Sequence, residues 1–138
     1  MSFLDDLAEQ STAPTPSVDV DLTLNGNLHT LRFKQMNGLA WAAAADKHPP
    51  RPDIPIDRRY GYNLRSLVLA VAPDTGSRVE GDELVALTED EWRQLFAALP
   101  GATVGRICDA VWGINEYAPE QAVEAAKKAR RRLAAKSS

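Results

Sequence analysis

The chain has 138 residues and a mass of 15.1 kDa, with 44% hydrophobic and 25% charged side chains. That length fits a single domain able to bury a core without help from a metal or a disulfide. The lone Cys108 excludes an internal disulfide and points to a reducing compartment, and no run of about 18 apolar residues is present to span a bilayer.

The formal charge of −3 hides an asymmetry. Residues 127–138 hold Lys127, Lys128, Arg130, Arg131, Arg132 and Lys136 and no acid. The other 126 residues carry ten basic and nineteen acidic side chains, a formal charge of −9. At the other end, Met1–Gln10 carries Asp5, Asp6 and Glu9 and no basic residue. That charge order is wrong for a signal or transit peptide, so the expected address is the cytoplasm.

Residues 1–17 read as a mobile acidic N-terminus and linker. Phe3, Leu4 and Leu7 have helical spacing, but so short a helix is marginal alone. Ser11–Ser17, with Pro14 and Pro16, favours extended backbone. A β-hairpin follows at 18–34. Val18, Val20, Leu22 and Leu24 alternate with polar residues, and Asn25-Gly26 supplies a two-residue turn. Counting outward pairs Leu24 with Asn27, Leu22 with His29, Val20 with Leu31 and Val18 with Phe33, placing the apolar residues on one face.

Helices dominate the remainder. The alanine-rich stretch Asn37–Lys47 predicts one, ended by the proline loop His48–Pro55. A second covers Tyr60–Ala72 and buries Leu64, Leu67, Val68 and Val71, before a turn cluster at Pro73–Ser77. Thr88 with Glu91 forms a capping box that opens a helix to about Leu99. A fourth helix runs from Val104 to about Asn115, after a turn at Gly101–Arg106, and buries Ile107, Val111 and Ile114. Pro119 is placed at the first position of a closing helix through Leu133. The expectation is a helix-rich α+β domain at 18–126, with four to five helices and one N-terminal hairpin, followed by a basic tail at 127–138.

Catalytic and metal chemistry find no pattern. His29 and His48 are far apart, and neither His-x-x-x-His nor Cys-x-x-Cys spacing occurs. His29 reads as a strand residue, and Cys108 as a small buried hydrophobe within a helix. Gly101–Arg106 lacks the spacer and the Gly-Lys-Ser/Thr ending of a phosphate loop. Glu89, Asp90 and Glu91 suit a helix N-terminus. The reading is not an enzyme, with no cofactor and no metal.

Binding remains. Trp41, Trp92 and Trp112 fall on three predicted helices, and tryptophan serves both cores and interface hot spots. The cluster Lys127, Lys128, Arg130, Arg131 and Arg132 fits a solvated helix end, a nucleic-acid footprint or a dock for an acidic protein. The absence of interleaved aromatics and the acidity of the body disfavour nucleic acid.

The order of elements resembles the tail assembly chaperones of long-tailed bacteriophages, particularly those of actinobacterial hosts. The stretches that carry the resemblance are VDVDLTLNGNLHTLRF, YGYNLRSLVLAVA, LTEDEWRQLFAALP and VWGINEYAPEQAVEAAKKARRR. It covers roughly residues 18–126. It implies a non-enzymatic protein of the bacterial host cytoplasm that binds the tape-measure protein, helps recruit tail tube subunits, and is absent from the finished virion. Helix faces bearing Trp41, Trp92 and Trp112 would then shield apolar stripes of the client. The family also implies a frameshifted longer product, and Ala126-Lys127-Lys128 can be encoded by a slippery run. The alternatives are a small nucleic-acid-associated regulator using the basic tail, and a structural head–tail virion protein.

Overall fold

The computed structural model describes residues 2–137. Strands β1 (Ser17–Leu24) and β2 (Asn27–Lys34) form the predicted hairpin with the predicted register, Val18 opposite Phe33 through Leu24 opposite Asn27. Asn25 and Gly26 turn it with φ of 51° and 78°, the pair of positive angles that a type I′ turn demands. Val20, Leu22, Leu31 and Phe33 are buried on one face. On the other face Arg32 makes a two-pronged ion pair with Asp19, at 2.7 and 3.1 Å.

The hairpin is half of a larger sheet. β3 (Gly76–Glu80) pairs with β2, and β4 (Glu83–Val85) pairs with β3, giving an all-antiparallel order β1-β2-β3-β4. Gly76 and Ser77, expected in a turn cluster, instead open β3. Gly81-Asp82 is the second hairpin turn, with Gly81 at φ 58°.

Helix α1 (Phe3–Thr12) starts with a capping box between Ser2 and Asp5 and takes in Ser11 and Thr12, which the composition had assigned to the linker. The linker therefore shrinks to Ala13–Pro16. Helix α2 (Gly38–Asp46) is capped by Asn37, whose Oδ1 accepts from Ala40 N–H at 2.8 Å. The proline-rich segment holds a short helix that the sequence reading missed, α3 (Pro55–Tyr60), with Pro55 at its start. Gly61 at φ 87° then ends it, so the helix expected from Tyr60 begins only at Leu64. That helix, α4 (Leu64–Thr75), buries Leu64, Leu67, Val68 and Val71 as expected and runs through Pro73. Burial of Val71, Ala72 and Thr75 carries it past the backbone bond that Pro73 cannot make.

Helix α5 (Glu89–Ala98) opens on the predicted box: Thr88 N–H donates to Glu91 Oε1 at 2.9 Å, and Glu91 N–H to Thr88 Oγ1 at 3.1 Å. Helix α6 (Gly101–Trp112) begins three residues before the expected Val104, because Pro100 serves directly as its N-cap. Gly101–Arg106 is thus helical rather than a turn. Pro119 does not open a new helix either. A π-helical turn (Gly113–Tyr117) joins α6 to α7 (Ala118–Ser137) without a break. The wider turn, with Ala118 N–H donating to Gly113 O, accommodates a residue that lacks a donor of its own. With α6 to α7 taken as one body, the described residues form six helices and one four-stranded sheet. The core lies between the apolar sheet face and α4, α5 and α6, where Phe33, Leu67, Val68 and Ile107 are fully buried.

Candidate functional site

The three tryptophans do not share one surface. Trp92 is 2% exposed, packed against Phe33 with ring centroids 5.7 Å apart and against Phe96 at 5.8 Å. Its Nε1 is buried with no hydrogen-bond partner among the described residues. Trp41 is also buried and meets Tyr62 edge-on at 6.0 Å. Trp112 is half-buried between Tyr60 and Tyr117. Two of the three side chains thus face inward and present no surface to a partner.

Trp41 and Trp112, but not Trp92, belong to the junction from which α7 departs. Trp41 Nε1–H donates to Glu116 Oε1 at 3.2 Å, and the Tyr62 hydroxyl donates to Glu116 Oε2 at 3.4 Å. Burial, reinforced by the Glu116 carboxylate, pushes the Tyr62 phenol well above its ordinary value, so it stays protonated as a donor. From the sheet side, Gln35 Nε2 donates to Ile114 O and Met36 N–H to Asn115 Oδ1, both at 2.8 Å. Asn115 Nδ2 in turn donates to Val111 O at 2.9 Å. The bonds from Gln35, Met36, Trp41 and Tyr62 hold the π turn against the end of β2, α2 and the segment after α3, and so fix the direction of α7.

Beyond that junction α7 is bare. No residue of Ala118–Ser137 is buried, and none of α1 is either. Phe3, Leu4 and Leu7 on α1 are 78%, 71% and 52% exposed; Val123 and Leu133 on α7 are 50% and 67% exposed. Val123, Ala126, Leu133 and the alanines at 122 and 129 recur at three- and four-residue spacing, which puts them on one face. Val123 and Ala126, with Lys127 and Arg130, line a shallow hollow of about 380 Å³. The basic residues singled out in the sequence, Lys127, Lys128, Arg130, Arg131 and Arg132, are all exposed on this helix. Lys127 pairs with Glu124 at 3.3 Å.

Elsewhere the polar groups are occupied by the fold. An apolar hollow of about 540 Å³ lies between the first hairpin and α5, lined by Leu22, Leu24, Leu31, Leu87 and Leu95. Of the charged residues along it, Glu91 serves the capping box and Arg78 pairs with Glu80. His29 is exposed and His48 Nδ1 lies 2.9 Å from Ser66 Oγ. Burial raises the Cys108 thiol to about 11, which keeps it protonated at neutral pH and unsuited to nucleophilic attack. Among the described residues, no three His, Cys, Asp or Glu side chains come together as a metal site, and no helix is long and apolar enough to cross a membrane.

Helical spacing of Phe3, Leu4 and Leu7 marks the α1 face in the sequence, whereas on α7 small alanines among charged residues leave the face without a strong local signal. Buried apolar area stabilises by about 1.5–3 kcal/mol for a large side chain, and these helices have not yet gained it. No protein-family model, curated protein or solved structure matches the chain.

Proposed function

We propose that the protein is a non-enzymatic tail assembly chaperone of the long-tailed phage type, working in the host cytoplasm on the tape-measure protein and helping to recruit tail tube subunits. The observation that supports this reading most is the pair of terminal amphipathic helices, α1 and α7, which flank a well-packed body yet bury nothing of their own. Exposed apolar faces of this kind mark sites of protein contact. A client rich in apolar helical stretches is the partner such faces suit, because helix-on-helix packing covers both. Trp41 and Trp112 then act indirectly, by holding α7 at its angle to the body.

The test is co-expression with a tape-measure protein, a long chain rich in apolar helical stretches. A chaperone keeps that client soluble and co-purifies with it, and a chain lacking 118–138 does not. A client that is equally soluble without the chain counts against the reading. Frameshifting at Ala126-Lys127-Lys128 would keep the first half of α7 and exchange Arg130, Arg131 and Arg132 for new sequence. An extended product that still contains those arginines rules that site out.

The exposed basic helix favours a second reading, a nucleic-acid-associated regulator. Such a protein would bind nucleic acid with a steep salt dependence and lose that binding on truncation after residue 126. A third, a structural head–tail protein, would be found in purified virions.

A further inference from the structure

Both unburied helices leave the body at one corner. Pro16 O, at the end of the linker from α1, accepts from Gln35 N–H at 2.9 Å. The side chain of the same Gln35 donates to Ile114 O at 2.8 Å, in the turn that launches α7. The two helices are complementary in charge. α1 carries Asp5, Asp6 and Glu9 and no base, a formal charge of −3, whereas α7 carries six basic and two acidic side chains, a formal charge of +4.

They are also complementary in shape. α1 offers the large side chains Phe3, Leu4 and Leu7, flanked by its acids. α7 offers an alanine-rich stripe that permits close approach, with its hollow floored by Val123 and Ala126 and edged by Lys127 and Arg130. The ten residues of α1 fit along half of the twenty of α7.

Within one chain neither helix buries a residue, so no packed interface covers their apolar faces. The linker Ala13–Pro16 holds two prolines and begins at φ −65°, ψ 151°, an extended conformation that carries α1 outward. A ten-residue helix has too few turns to persist alone in water, so its covering must come from elsewhere.

We propose that α1 of one copy packs along the apolar, basic-edged face of α7 of a second copy, and that the exchange is reciprocal and closes at two chains. Reciprocity covers both faces of both copies and leaves no open end from which a filament could grow. The pairing needs no client, and because it covers the faces that the proposed function gives to a client, a client and the second copy compete for them.

The test is the solution mass of the full chain by light scattering over a wide dilution series, without any client present. The expected result is a mass twice 15.1 kDa at high concentration, with dissociation promoted by salt. Leu7→Asp should give a monomer. Reversing charge on one side only, by Asp6→Lys with Glu9→Lys or by Lys127→Glu with Arg130→Glu, should weaken the dimer by about tenfold or more, and mixing the two reversed chains should restore it. None of these positions is buried, so an unchanged thermal midpoint certifies the fold of each variant.

A wild-type chain that is monomeric throughout overturns the proposal, as does a dimer indifferent to Leu7→Asp. A monomer in which Leu7→Cys and Ala126→Cys on one chain still form a disulfide shows a fold-back in cis, which overturns it too. Client capture is read separately. Its loss with the dimer intact sinks only the chaperone reading, and the converse sinks only the dimer.

Discussion

The indole N–H of Trp41 donates to Glu116 Oε1 at 3.2 Å, joining α2 to the π turn across 75 residues of sequence. That bond places Trp41 in the junction beneath α7. Trp41→Phe keeps most of the apolar volume and loses the donor, and should cost about 1 kcal/mol. Trp41→Ala also opens a cavity and should cost about 3–5 kcal/mol. Urea unfolding of the two variants measures the difference; equal costs would mean that the hydrogen bond and not the packing matters.

Gly76 is required by contact rather than by backbone angle. A Cβ there would lie 2.7 Å from Trp92 Cζ2 and 2.8 Å from Phe33 Cε1. Gly76→Ala should therefore destabilise by about 1–3 kcal/mol through overpacking. Trp92→Phe removes the ring edge that crowds the site, so the double variant should lose less than the sum of the singles. Thermal melts of the four-member cycle test this, and strict additivity would contradict it.

Asp57 ties down the proline-rich segment. It is 2% exposed and accepts from Arg51 Nε at 2.8 Å, Arg51 Nη2 at 3.1 Å and Arg51 N–H at 3.0 Å. These bonds, from the Arg51 guanidinium first, hold its carboxyl below the ordinary 3.8. Because the folded value is the lower one, the stability it contributes is complete above the ordinary value and is lost as pH falls through the folded value. Asp57→Asn should thus cost more stability at pH 7 than in acid below that range. A cost independent of pH would show that the charge plays no part.

Cys108 lies in α6 beside Ile107, 6% exposed, with its thiol raised to about 11 by burial. A maleimide or disulfide reagent near pH 8 should react slowly with the folded chain and fast once urea unfolds it. Rapid labelling of the folded chain would mean that α6 opens locally.

The local signals in the sequence are strong where a few neighbouring residues decide the outcome. The Asn25-Gly26 turn fixed a register that holds pair by pair, and the Thr88–Glu91 box placed the start of α5. Gly81-Asp82 is the same kind of signal for β3 and β4, but the short, partly polar strands beside it lack clean alternation. A proline is a local signal that tertiary packing can override. Pro73, Pro100 and Pro119 each suggest a boundary locally, yet tertiary packing runs α4 through the first, and the π turn carries the last helix past the third. Only the second stands at a boundary, as the N-cap of α6. The tryptophans illustrate the remaining limit. Nothing near Trp41 in sequence announces Glu116, and nothing near Trp92 announces Gly76, because both relationships are made by the fold.

The division of labour between body and helices leads to one direct measurement. The chain trimmed to residues 13–117 keeps every buried residue and should fold with nearly the stability of the full chain. On the proposed chaperone function, the full chain co-expressed with a tape-measure protein should hold it in solution, whereas the trimmed chain should leave it insoluble. A trimmed chain that protects the client as well as the full one would contradict the claim that α1 and α7 do the binding.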